Sequence, residues 1–227
     1  MKTTAIIVAA GTGSRFNSDT PKQFLDLAGK PVVVHAIEQF QSSASIDYIV
    51  LVVPGDRLRT AAREYTGFNK LETITTGGST RAESVMSGLS SAEDDTEIVA
   101  VHDGARPLIS VDEIDRVVEK AKLMGAACLV APVTDTIKTV RGEEISGTLD
   151  REKLRRALTP QAFRMDLLRK AFELEGADEA VVTDECYLVE KLGHPIAFVE
   201  GSSRNIKITT PDDMVLAEAL MTQMNRD

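Results

Sequence analysis

Short apolar runs punctuate the chain at Thr3–Ala10, Tyr48–Pro54, Glu72–Thr76, Glu97–His102 and Ala126–Val133, each of a length that suits one strand. Longer amphipathic stretches separate most of them, so strand and helix alternate. Two helix starts are written locally. Thr80 with Glu83, and Ser110 with Glu113, have the spacing at which a hydroxyl caps a first-turn N–H while the carboxylate reaches back to the cap. Met165–Leu174 and Asp184–Leu192 read as further helices and Ile196–Glu200 as a strand. A last helix begins at Thr210-Pro211, where proline suits the first helical position. Near-continuous apolar strands need cover on both faces, which predicts a three-layer α/β/α fold. Its sheet is mainly parallel, and ligands are expected at the carboxyl ends of the strands.

One segment breaks the rhythm. Ile137–Leu158 carries many charges and two glycines, Gly142 and Gly147, with too little apolar periodicity to pack on both faces of a sheet. It predicts a protruding β-arm at about 135–158. The alternation of Ile137, Val140, Ile145 and Leu149 gives such an arm one apolar side, which suits burial against a second copy of the chain. A homodimer is therefore expected. Repeats, low-complexity tracts and linkers are absent from the sequence, so residues 1–227 read as a single domain bearing this dimerisation arm.

Length and composition permit this picture: 227 residues at 43% hydrophobic content suffice for one sizeable core. The apolar runs fall well short of the roughly 18–20 residues that cross a bilayer, and no secretion pattern opens the chain, so a cytoplasmic location is expected. Cys128 lies in an apolar run far from Cys186, which argues against a disulfide or a zinc site. The formal net charge of −9 repels nucleic acid and anionic membrane. An anionic ligand would need a local basic cluster, and Arg15, Lys22, Arg106, Arg151 and Lys207 are scattered along the chain. Only folding could gather them.

The first strand runs into Ala9-Ala10-Gly11-Thr12-Gly13-Ser14-Arg15, where two glycines and small residues let backbone amides approach an anion. It lacks the Gly-Lys-Ser/Thr ending of a P-loop and the third glycine of a dinucleotide fingerprint. Pro21-Lys22-Gln23-Phe24 follows, so Arg15 and Lys22 flank one glycine loop and form a candidate phosphate site. Several other polar residues have structural readings. His102 suits a satisfied core histidine, while Asp184, Glu185, Asp212 and Asp213 stand where carboxylates complement helix N-termini.

The loop and the Pro21–Phe24 segment together resemble the nucleotidyltransferases that activate sugar phosphates. Four further segments narrow this: Val101-His102-Asp103-Gly104-Ala105-Arg106-Pro107, Val133 to Lys138 with Asp135-Thr136-Ile137, Leu158-Thr159-Pro160-Gln161 with Phe163, and Asn205-Ile206-Lys207-Ile208-Thr209-Thr210-Pro211. In order and spacing they resemble the 2-C-methyl-D-erythritol 4-phosphate cytidylyltransferase family of the non-mevalonate isoprenoid pathway, from Ile6 to about Glu218. The resemblance implies a Rossmann-like nucleotidyltransferase fold and a reaction that joins CMP from CTP to the sugar-alcohol phosphate, releasing pyrophosphate.

By that resemblance Ala9, Ala10, Gly11, Gly13, Gly78 and Ser84 hold CTP, and Arg15, Lys22 and Lys207 do the catalytic work. Asp103, Arg106, Thr136, Arg151, Thr159 and Lys207 hold the acceptor, with Arg151 reaching the partner's site from the arm. Mg2+ is the implied cofactor, near Asp103. Gly104 stands where the family commonly has alanine. The acceptor phosphate is already largely dianionic at neutral pH, its second pKa being about 6, so no general base is required and positioning with fixed charge supplies the rate. Ribitol 5-phosphate cytidylyltransferase is the nearest alternative. A nicotinamide-dependent dehydrogenase fits less well, because the second strand ends Val52-Val53-Pro54-Gly55 without the ribose-binding acid. A non-catalytic nucleotide sensor would have no use for both Lys22 and the Arg151 and Lys207 acceptor set.

Overall fold

The computed structural model describes residues 1–11, 16, 20–175 and 184–224. In chain order the strands and helices are β1 (Lys2–Val8), β2 (Asp26–Leu27), β3 (Lys30–Pro31), α1 (Val32–Ser42), β4 (Tyr48–Val53), α2 (Leu58–Glu64), β5 (Leu71–Thr76) and α3 (Arg81–Ser90). There follow β6 (Thr96–Asp103), α4 (Val111–Met124), β7 (Ala126–Pro132), β8 (Lys138–Arg141), β9 (Glu144–Thr148) and β10 (Arg155–Arg164). The chain closes with α5 (Met165–Glu175), α6 (Glu185–Lys191), β11 (Ala197–Glu200) and α7 (Pro211–Met224).

A seven-stranded sheet in the order β11-β7-β10-β6-β1-β4-β5 forms the middle layer. All its pairings are parallel except those of β10, which runs antiparallel to both β6 and β7. Because strand side chains alternate, β1 sends Ala5 and Ile7 to the face covered by α1 and α4, and Ile6 to the face covered by α3, α5 and α6. That two-sided burial is why the first strand reads as an unbroken apolar run. Both capping boxes form, Thr80 with Glu83 at α3 and Ser110 with Glu113 at α4. Helix α4 ends at Gly125, whose φ of 85° lies in the region that glycine tolerates and β-carbons resist.

The arm departs from the sequence reading, and α1 was not singled out by it. Helix α1 has no polar cap and opens Val32-Val33-Val34, a β-branched run with strand character; it is helical because Val33, Ile37 and Phe40 bury against the sheet after Pro31. The arm is shorter than expected. Strands β8 and β9 form a separate two-stranded hairpin, a turn covers Arg151–Lys153, and from Arg155 the chain is already in the central sheet. Leu158 is accordingly core, with Ala162 and Phe163. In the single chain Val140 and Ile145 remain 69% and 68% exposed.

A smaller apolar cluster of Leu27, Val32, Leu108, Ile208 and Ala217 ties α7 and the segment before it to the β2–β3 hairpin. The backbone N–H of Ile208 donates to the Ala105 carbonyl at 2.8 Å, and this fixes residue 207 beside the end of β6. Cys128 and Cys186 are buried and unbridged. Among the described residues no helix is long and apolar enough to cross a membrane.

Candidate active site

Strands β1 and β6 are neighbours with Val8 opposite Asp103, and β1 turns to β4 on its other side, so their carboxyl ends mark the point where strand order reverses. A cavity of about 380 Å³ opens there. Val8, Ala9, Ala10 and Gly11 form one wall, Gly78 through Arg81 with Ser84 another, and Lys22, Asp103, Lys207 and Thr209 supply charge and polarity. Gln23 shapes the first wall. Its side-chain amide donates to the carbonyls of Ala9 at 2.5 Å and Gly11 at 2.7 Å, which occupies two oxygens that would repel a phosphate. Gly78 permits the second wall, since a β-carbon there would collide with Glu83, whose carboxylate accepts the N–H and the hydroxyl of Ser79.

Asp103 is the hub. Its Oδ1 accepts Arg81 Nε at 3.1 Å, and its Oδ2 faces Lys207 Nζ at 2.8 Å and Arg106 Nε at 3.7 Å. Burial alone would raise the Asp103 carboxyl, but Arg81, Lys207 and Arg106 outweigh it and hold the group far below the usual carboxylate range. Arg81 also donates Nη1 to the buried Glu185 at 2.5 Å. Burial disfavours the Arg81 charge, yet Glu185 and Asp103 together lift the guanidinium above its ordinary value. Three cations around one carboxylate form a site whose positive groups are already gathered before an anion arrives.

Behind Asp103 lies a neutral hydrogen-bonded chain. A carbonyl only accepts, so His102 Nε2 donates to the Arg106 carbonyl at 3.1 Å, which leaves Nδ1 to accept the Thr159 hydroxyl at 3.1 Å. The same hydroxyl oxygen accepts the Asp103 N–H at 3.1 Å. Phe40 packs on the imidazole with centroids 4.9 Å apart. Burial pushes His102 down to about 4 from an ordinary 6.5, so as pH falls the unfolded chain takes up a proton first. Stability is complete above about pH 6.5 and declines toward pH 4, by about 2 kcal/mol at pH 5. Urea unfolding at pH 7.5 and pH 5 should show this loss, and His102→Gln should remove most of it. An equal loss in the variant would assign the acid sensitivity elsewhere.

The fold gathers part of the expected set. Ala9, Ala10, Gly11, Lys22, Gly78, Ser84, Asp103 and Lys207 all line the cavity. The Ser84 hydroxyl donates to the Thr80 carbonyl at 2.9 Å, within its own helix. Arg106 and Thr159 do not line the cavity and are hydrogen-bonded within the chain. Thr159 is 4% exposed, and its hydroxyl is committed to His102 and Asp103. Arg106 reaches from Asp103 to the Asn205 carbonyl at 2.9 Å, and Asn205 in turn donates to the Thr159 carbonyl at 2.9 Å. Both brace the Asp103 wall from behind. Thr136 and Arg151 are exposed at the base of the arm and do not line the cavity of their own chain; Arg151 Nη1 donates to the Thr134 carbonyl at 2.7 Å. Gly13 and Arg15 lie outside the described residues.

Gln23, Arg81 and Thr209 are polar cavity residues to which the sequence assigned no role in the site. Gln23 sits in the Pro21–Phe24 segment and Arg81 between Gly78 and Ser84, so their position was a usable signal. Thr209 also lines the wall, next to Lys207. At the start of α7 burial would raise the Asp213 carboxyl, but the N–H groups of Thr210 and Thr209 and the Thr210 hydroxyl lower it, with a last contribution from the Lys22 charge.

A sheet with a cation-lined cavity at the reversal of strand order, bounded by small residues and held by braced carboxylates, suits a nucleotidyltransferase, and the family match places the chain in that class. A model of the family described as 2-C-methyl-D-erythritol 4-phosphate cytidylyltransferase matches residues 3–223, and the chain belongs to that family. It is 43% identical over 225 residues to the enzyme of that name from Desulforamulus reducens, covering 97% of this chain and 96% of the relative. The relative of the same name from Pelotomaculum thermopropionicum is 44% identical over 224 residues, covering 97% and 94%. Among solved structures, the 4-diphosphocytidyl-2C-methyl-D-erythritol synthase of Anaerococcus prevotii superposes with a TM-score of 0.87 at 27% identity, covering 97% of this chain and 96% of that one.

Proposed function

We propose that this cytidylyltransferase transfers CMP from CTP to 2-C-methyl-D-erythritol 4-phosphate, giving 4-diphosphocytidyl-2-C-methyl-D-erythritol and pyrophosphate, as a cytoplasmic homodimer. The observation that carries this reading is the meeting of Lys22 and Lys207 with the Ala9–Gly11 wall in one cavity of a chain from this family. An oxygen of the acceptor phosphate forms a bond to the α-phosphorus of CTP, and the bond from that phosphorus to the bridging oxygen of pyrophosphate breaks. The nucleophile needs no base. Lys22 and Lys207 bring two mutually repelling anions together and neutralise the charge that builds on the reacting phosphorus, while the small-residue walls exclude water.

Among the described residues no cluster of three acidic, histidine or cysteine ligands could cage a metal. Among the described residues lining the cavity Asp103 is the one carboxylate, which suits Mg2+, a hard cation that commonly takes one or two carboxylates and draws its remaining ligands from phosphates and water. Such an ion supplies charge neutralisation on the triphosphate. Lys207 already occupies Oδ2 of Asp103, so a metal there would share or displace that contact.

The test is pyrophosphate release by the purified protein with CTP and each of two acceptors, 2-C-methyl-D-erythritol 4-phosphate and ribitol 5-phosphate. Release with the first at least about tenfold faster than with the second is expected, because a pocket shaped to a branched methyl and three hydroxyls leaves the longer chain and fourth hydroxyl of ribitol phosphate without fitted partners. Excess EDTA should abolish it. Equal rates, or a preference for ribitol phosphate, would refute the acceptor; release that persists in EDTA would refute the metal.

A further inference from the structure

Glu185 is the first residue of α6 and is fully buried, its Oε1 bonded to Arg81 and its Oε2 without a hydrogen-bond partner. Stability alone is a weak reason for it. Buried ion pairs are commonly matched or bettered by apolar residues of similar size. The same Arg81 guanidinium carries on to Asp103 through Nε, so a rigid planar fork joins a carboxylate outside the cavity wall to the one at its centre. Arg81 itself lines the cavity. Asp103 is otherwise held from behind by Thr159 and from the side by Lys207 and Arg106, so Arg81 is what fixes Oδ1.

We propose that Glu185 is a positioning residue for nucleotidyl transfer: by locking Arg81 it sets the orientation of the Asp103 carboxylate, and through it the place of the Lys207 ammonium, before substrates bind. This rests on the cytidylyltransferase reading. Outer partners of this kind typically change activity about 10–100-fold without touching substrate.

The experiment compares Glu185→Gln and Arg81→Lys, each alone and combined with Asp103→Asn, with wild-type turnover of CTP and methylerythritol phosphate measured first. Glutamine keeps the shape and an acceptor but not the charge; lysine keeps a charge that cannot bridge two carboxylates. Each single variant should lose about tenfold or more in kcat, with the KM for CTP within about twofold, and Glu185→Gln should also lower the melting temperature, since it leaves the Arg81 charge with one buried partner fewer. In the Asp103→Asn background either substitution should cost less than about twofold more, because both act through that carboxylate. A folded Glu185→Gln with wild-type kcat, a loss confined to KM, or an undiminished loss on top of Asp103→Asn overturns the proposal. Should Glu185→Gln fail to fold, the Arg81→Lys cycle decides by the same criteria. A wild-type protein that does not turn over this substrate pair contradicts the assigned reaction instead.

Discussion

Lys22→Ala is expected to lower turnover at least a hundredfold while leaving the fold intact. Lys22 opens a one-turn 3-10 segment after Pro21, and Gln23 in the same turn is anchored to the carbonyls of Ala9 and Gly11. Its ammonium is thereby carried on a short, braced piece of chain at the cavity wall, not on a free loop. A preorganised positive group aimed where charge builds in the transition state contributes about 3–4 kcal/mol, because it need not reorganise as the reaction proceeds. Lys22 contributes little to the core, so its removal should move the melting temperature by no more than a few degrees. Lys22→Arg should recover part of the activity, since charge is kept but a compact ammonium becomes a planar fork of different reach. Pyrophosphate release at saturating CTP measures the effect. A folded Lys22→Ala enzyme with near-normal turnover would remove Lys22 from the chemistry.

How far the sequence discloses this site depends on the range over which each residue acts. Thr80 with Glu83, and Ser110 with Glu113, satisfy local hydrogen bonds three residues apart, so their helices are visible without any knowledge of the fold. The strands buried on both faces are visible for the same reason. Strand β10 is not. It carries Pro160, which ordinarily argues against a central strand, and the sheet accommodates it at a register shift between Ala157 and Gln161, where no ladder donor is needed. The role of Glu185 is equally hidden, because a carboxylate at the start of a helix has a sufficient local explanation. Its actual partner, Arg81, lies on another helix far away in sequence. Thr159 shows the converse: the segment Leu158–Phe163 is recognisable as functional, yet only the folded chain reveals that its hydroxyl supports Asp103 from behind.

Coexpressing two defective variants should restore activity if the arm serves the neighbouring subunit. Strands β8 and β9 form a two-stranded hairpin, an arrangement of marginal stability by itself, and it leaves Val140 and Ile145 exposed to water. Docking on a second copy would cover that apolar side. Arg151 follows directly and does not line its own cavity; in the single chain its guanidinium donates to the Thr134 carbonyl, and on docking it would be placed to turn to an acceptor phosphate in the partner's site. Under this arrangement each site takes Lys22 from one subunit and Arg151 from the other. Lys22→Ala and Arg151→Ala are each defective alone, the latter by at least about tenfold, the scale of losing one hydrogen bond to a charged group. Coexpressed, they yield mixed dimers in which one site holds both native residues and the other holds neither. With random pairing, half the dimers are mixed and each has one working site, so specific activity should reach about a quarter of wild type. If Arg151 instead served its own chain, every site would lack one group and the mixture would stay near about a twentieth, the average of its parents. Pyrophosphate release by the coexpressed pair, set against each variant alone, separates the two.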